Sequence, residues 1–202
     1  MRTITKKYKL YTYNELSEEA KEKVKEWYLD DEMRSTFFYE DKKYFLAENY
    51  KRSNLEVIFS LSNCQGDGLN IEGKINLYDF AEKWETDEKS RRTIEHYIDN
   101  SFSEYTFESN NRYCYSCKFI DRKYIDDTIM EFIDDLKYNG IRGIKTDVIK
   151  AFFNDMIDHF EELDEEWEKA GYKYFYDAEE SEIAECCEAN NYEFLEDGTF
   201  YC

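Results

Sequence analysis

Proline is absent from this chain, and only seven of its 202 residues are glycine. Turns must therefore come from those glycines and from Asn, Asp and Ser, whose side chains bond nearby backbone or tolerate positive φ. Histidine is nearly absent too, with His96 and His159 alone, and neither belongs to a nucleophile motif. A Ser–His–Asp or Cys–His catalytic set cannot be assembled from such a chain, so the reading is non-enzymatic with no cofactor. Nowhere does the sequence approach the roughly 18 consecutive apolar residues that span a bilayer. The first ten residues interleave Arg2, Lys6, Lys7 and Lys9 with Ile4 and Tyr8, and lack the apolar stretch of a secretory signal. The expectation is a cytoplasmic protein with no membrane partner.

Rings and negative charge are what the sequence has in abundance. Nineteen Tyr, fifteen Phe and three Trp supply the large burial terms of a core. The six cysteines, Cys64, Cys114, Cys117, Cys186, Cys187 and Cys202, read as free thiols in a reducing compartment. The formal net charge is -20, unevenly distributed. Residues 1–120 hold 23 acidic and 19 basic side chains, against 24 and 8 in residues 121–202. An excess concentrated in this way makes a directional field and not merely a soluble surface.

Periodicity predicts an α+β fold read as a single domain over residues 1–202. It has an antiparallel sheet built from hairpins, about five helices, and one long acidic helix near 147–170. A first strand is expected over 3–12. Ser17 then caps a helix whose stripe is Leu16, Ala20, Val24, Trp27 and Tyr28. A second helix is expected over about 36–50, anchored by Phe37, Phe38, Tyr44 and Phe45. Alternation at Leu55, Val57, Phe59 and Leu61 resumes at Leu69, Ile71, Gly73, Ile75 and Leu77, which is a hairpin pattern. A helical stretch over 78–100 has a polar middle, Thr86 to Ser90, that can break it. A second hairpin is expected through 101–108 and 112–120, turning at Asn110-Asn111. Ile125, Ile129, Phe132, Ile133 and Leu136 mark another helix, ended by Gly140. The seam Ile149, Phe153, Met156, Phe160, Leu163 and Trp167 defines the long helix, with Gly171 as its stop. A short helix around Ile183 and a last hairpin over 192–202 complete the chain.

Three local patterns bear on chemistry. The loop Gln65-Gly66-Asp67-Gly68 can offer backbone N–H groups and one carboxylate to a partner, or simply close the hairpin; it lacks the Lys and Ser/Thr of a phosphate loop. Cys114-Tyr115-Ser116-Cys117 has C-x-x-C spacing, but zinc needs two more ligands and no second such pair exists. His159 has Asp155 four residues before and Glu162 three after, a helical spacing that can hold a divalent ion or arise by chance on an acidic face.

The strongest feature is the acidic run Asp155, Asp158, Glu161, Glu162, Asp164, Glu165, Glu166 and Glu168. Like charges three and four apart on a helix repel. A helix accepts that cost if its seam is well buried or if a basic partner meets the charges. The spacing is close to that of phosphates along a nucleic-acid strand. The run thus reads either as a solvated face or as a nucleic-acid mimic. On the second reading Asp155, Asp158, Glu161, Glu162, Glu165 and Glu166, with Gln65 and Asp67, form the partner-binding set. No metal ligand and no catalytic residue is assigned. Direct binding to nucleic acid is disfavoured, since the acidic segment repels phosphates and Lys6, Lys7, Lys9, Arg91 and Arg92 form no stripe in sequence.

Three segments carry a resemblance. They are Asn14-Glu15-Leu16-Ser17-Glu18-Glu19-Ala20-Lys21-Glu22-Lys23 leading to Trp27-Tyr28, Phe59-Ser60-Leu61-Ser62 followed by Gln65-Gly66-Asp67-Gly68, and residues 189–198, Ala-Asn-Asn-Tyr-Glu-Phe-Leu-Glu-Asp-Gly. In this order they resemble a family of phage and prophage proteins labelled as antitoxins of toxin–antitoxin stability systems. The resemblance implies a mobile-element context and leaves residues 80–135 unmatched. By analogy with small acidic phage inhibitors, the expected function is inhibition of a host nucleic-acid-processing defence enzyme, for example a CRISPR effector, through its basic surface. The alternatives are an antitoxin capping a toxin, and a small metal-dependent enzyme using Asp67 or the Cys and His donors.

Overall fold

A computed structural model of the chain describes residues 2, 6–30, 33–62, 66–107 and 121–201. The fold is α+β, with seven α-helices and a three-stranded antiparallel sheet among the described residues. Contacts divide the chain into two compact units, residues 38–171 and residues 1–37 with 172–202.

The larger unit is built on the sheet, in order β1 (Asn54–Ser60), β2 (Gly68–Asn76), β3 (Glu104–Phe107). The period-two pattern sets the register, with Val57 opposite Ile71 and Phe59 opposite Leu69. Gly73 lies between Leu55 and Phe107 at φ +109, and a Cβ there would stand 2.3 Å from the Asn54 carbonyl oxygen. Only glycine fits that point in the strand. Of the expected second hairpin, β3 forms but pairs with β2. Its other half, 112–120, and the turn Asn110-Asn111 lie outside the described residues.

Helices surround the sheet. The polar stretch does break the helical segment, giving α3 (Leu77–Ala81) and α4 (Glu88–Ile98). Asp87 starts the second of these by accepting from the Lys89 and Ser90 amides at 3.0 Å. Helix α5 (Asp121–Tyr138) buries Ile125, Ile129, Phe132, Ile133 and Leu136, the expected stripe. Helix α6 (Thr146–Tyr176) buries Ile149, Phe153, Met156, Phe160, Leu163 and Trp167. Its rings meet the sheet, Phe160 lying 4.7 Å from Phe107 and Phe153 lying 6.4 Å from Tyr105 between centroids. Buried Asp79 ties the start of β1 to α3, accepting from the Arg52 amide and guanidinium and the Ser53 hydroxyl.

Two expectations are corrected here. Gly171 does not stop α6, which continues five residues to Tyr176. A Cβ at this position would lie 2.4 Å from Leu61 Cδ1 and 3.1 Å from Phe38 Cζ, so the glycine serves close packing and not termination. Helix α2 (Met33–Asn49) is anchored in this unit by Phe38 and Leu46, followed by Tyr50, while Tyr44 faces outward. Phe37, in the smaller unit, is exposed as well.

The smaller unit joins α1 (Glu18–Leu29), the short 3-10 turn Tyr13–Glu15 and α7 (Glu180–Asn190). Ser17 caps α1 through the Ala20 amide. Tyr13, Leu16, Ala20, Val24, Ile183, Cys187 and Phe194 form its core. Trp27 stacks on Phe200 at 4.5 Å and meets Tyr192 and Phe194 edge-on. The strand expected over 3–12 is not continuous through residues 6–12, where Tyr11 alone pairs, by an isolated bridge to Phe194. The last hairpin does form about its expected turn: the Leu195 amide donates to the Thr199 carbonyl and the Tyr201 amide to the Glu193 carbonyl, both at 2.9 Å, on either side of the bridge Phe194–Phe200. Buried Arg34 is sandwiched between Tyr28 (4.5 Å) and Tyr174 (4.0 Å) and donates to the Tyr174 carbonyl. Among the described residues no helix is long and apolar enough to cross a membrane.

Candidate functional site

The candidate site is the outward face of α6 within the larger unit. Its helical period separates two sides. Residues Ile149, Phe152, Phe153, Met156, Phe160, Leu163 and Trp167 are buried. Asp155, Asp158, Glu162, Glu165 and Glu166 are exposed and fall on the opposite arc at 100° per residue. Glu161 is half-buried at the margin of this arc. The apolar side thus does the folding and leaves the carboxylates to solvent.

Local partners differ along this face. Asp155 accepts from the Trp84 indole N–H at 2.8 Å, so its position is fixed by the core beside it. Glu165 pairs with Lys169 one turn on, at 3.4 Å, in an exposed contact of small energy. Glu162 and Glu166 have no Lys or Arg within ion-pair distance among the described residues. Those two carboxylates therefore stand open to solvent.

Asp164 is the exception. The sequence places it within the acidic run, but its side chain is fully buried in the seam. It lies four residues after Phe160 and three before Trp167, an angle at which the helix faces the core. Its Oδ1 accepts from the Ile71 amide at 3.0 Å, and its Oδ2 has no hydrogen-bond partner among the described residues. Burial pushes the carboxyl up to about 9, so it is protonated at neutral pH. The seam spacing held that signal in the sequence.

His159 is engaged by a hydroxyl partner. Its Nε2 is 2.6 Å from the Tyr50 hydroxyl, and its ring packs near Phe80 and Phe160. Burial pulls the imidazole below its ordinary range and pushes the Tyr50 phenol up. Among the described residues no group of three His, Cys, Asp or Glu side chains is placed to hold a metal.

Asp67 closes the hairpin, accepting from Ser60 Oγ at 2.9 Å and from the Ser62 amide at 2.5 Å. Both bonds reach back across the loop and clasp its two ends together. Gln65 lies outside the described residues, as do Cys64, Cys114, Cys117 and Cys202. Cys186 and Cys187 are free thiols on α7, and burial pushes Cys187 up to about 11, which makes it a poor nucleophile.

No protein-family model, no curated protein and no solved structure matches this chain.

Proposed function

We propose that the chain is a non-enzymatic acidic binding protein of phage or prophage origin. It inhibits a host nucleic-acid-processing defence enzyme, for example a CRISPR effector, by occupying its basic groove. The observation that carries this reading is the arc Asp155, Asp158, Glu162, Glu165 and Glu166 on α6, opposite a buried seam. From Asp155 to Glu166 the helix rises about 16 Å. One nucleic-acid strand presents about five phosphates over that length. A rigid helix holding five carboxylates over the same span can take the place of such a strand in a cationic channel. Long-range attraction speeds the encounter and weakens with salt. Exposed aromatic side chains, among them Tyr44, supply apolar contact beside the charge.

The test starts from a tagged pull-down out of host lysate, followed by affinity measurement with the captured enzyme at rising salt. The expected result is steep weakening with salt, loss of binding in Glu162→Gln/Glu165→Gln/Glu166→Gln, and competition by nucleic acid. Binding that is insensitive to both salt and neutralisation overturns the proposal.

A further inference from the structure

We propose that a groove between α4 and the loop leading into α6 binds a compact, multiply phosphorylated small molecule of nucleotide size. The groove lies wholly within the larger unit and uses none of the carboxylates of the α6 face.

Helix α4 presents Lys89, Arg92, Thr93 and His96 at spacings of three, one and three, which is one helical face. Across from it, Arg142 and Lys145 come from the loop between α5 and α6. Together they line a groove of about 590 Å³. Four lining residues are Lys or Arg, and the one lining carboxylate, Glu88, is bonded to Arg92 at 2.7 Å. The chain as a whole has 47 acidic residues to 27 basic ones, so this groove reverses the balance of the molecule.

The cations are positioned by the fold. The Lys145 amide donates to the Tyr97 hydroxyl at 3.0 Å, and its ammonium lies 3.5 Å from the Thr93 hydroxyl. The Ile149 amide bonds the Lys145 carbonyl, so Lys145 stands at the start of the 31-residue helix α6 and at its positive end. Asp147, in the first turn of α6, is the acid nearest in sequence to that end. Arg142 and Lys89 are exposed and form no ion pair among the described residues.

Chemistry and size select the ligand. Arg presents a planar fork that grips phosphate oxygens in pairs, and Lys adds point charge. The volume falls inside the roughly 300–1,000 Å³ range of small-molecule sites. The exposed His96 ring offers a flat face to a purine or pyrimidine. A polymer is the wrong partner, because a net charge of -20 repels an extended polyanion along its length. A ligand confined to the groove feels mainly the local cations, since charges beyond about 8 Å are screened in physiological salt.

Isothermal titration calorimetry on the full chain at low ionic strength decides it, with pyrophosphate, ATP, AMP and a single-stranded oligonucleotide as probes. Pyrophosphate and ATP are expected to bind at one site and AMP more weakly. Arg142→Ala and Lys89→Ala are each expected to lower ATP affinity by about tenfold or more, the loss of a charge-assisted contact. Both positions are exposed, and unchanged circular dichroism verifies that the variants fold. Glu162→Gln/Glu165→Gln/Glu166→Gln is expected to keep ATP affinity, which separates failure here from failure of the α6 reading. The proposal is overturned if neither pyrophosphate nor ATP binds, if both alanine variants bind ATP like the parent chain, or if the oligonucleotide binds more tightly than ATP.

Discussion

Asp164 accepts a hydrogen bond from the backbone N–H of Ile71 at 3.0 Å, and this bond joins the longest helix to the central strand inside the core. Burial raises the carboxyl to about 9, the charges of Glu161 and Glu168 push the same way, and the Ile71 bond opposes them. Between the ordinary carboxylate range near 4 and that raised value, the folded chain keeps a proton that the unfolded chain releases. Unfolding free energy attributable to this group is therefore fully present below pH about 4 and falls as pH rises toward 9. Asp164→Asn keeps the acceptor and removes the titration. Urea unfolding should find it matched to the parent at pH 4 and more stable at pH 8, by a margin that widens with pH between the two. Identical pH profiles for the two proteins would contradict this account.

His159 works in the opposite direction. Its burial lowers the imidazole below 6.5, with Lys83 acting in the same sense and Glu162 against it. The unfolded chain then binds the proton first on acidification. The stability that neutral His159 provides is present above pH about 6.5 and is lost as pH falls through the folded value. An NMR titration should place the His159 midpoint below 6.5, and His159→Gln should flatten the acid side of the stability profile. A midpoint above 6.5 would rule the mechanism out.

Gly73→Ala combines positive φ with a backbone clash at the Asn54 carbonyl. Neither side can yield without moving a strand. A loss of about 2–4 kcal/mol is expected in chemical unfolding. A neutral result would mean that the strands do not approach as described.

Arg34→Lys tests the tyrosine sandwich. The ammonium keeps the charge but cannot stack flat between Tyr28 and Tyr174. The expected cost is about 1–2 kcal/mol, mostly lost ring contact and the carbonyl bond. Equal thermal stability of the two proteins would show that charge alone matters there.

Neutralising Glu162, Glu165 and Glu166 to Gln relieves repulsion along α6, where each close pair costs about 0.2–0.5 kcal/mol. The triple variant should melt slightly higher than the parent in low salt, and the gain should vanish in high salt. A face that gains stability when its charge is removed and loses a partner at the same time is one kept for binding. If the melting temperature falls instead, these carboxylates support the fold.

Where residues act through their neighbours in sequence, the structure was legible beforehand. Alternation at Val57 and Phe59 against Leu69 and Ile71 predicts the paired strands, and the spacing from Ile149 to Trp167 predicts the buried side of α6. Ser17 announces its helix because capping is local. Legibility ends where a distant residue decides. Gly171 reads as a stop, yet Leu61 and Phe38 give the reason for it. Asp164 reads as surface by its chemistry, although its angle on the helix says core. The strand expected near Tyr11 needs a partner, and among the described residues it finds only Phe194. Lys89 and Arg142 lie far apart in sequence, so no local pattern could bring them to one groove.

The smaller unit takes its residues from both ends of the described sequence, with Tyr11 bridged to Phe194 across the whole intervening stretch. On a ribosome, the contiguous residues 38–171 can condense while α1 still waits for α7. Until residue 194 has been synthesised, Tyr13, Val24 and Trp27 lack the rings that shelter them, and a nascent chain stalled before that point would show them to chaperones.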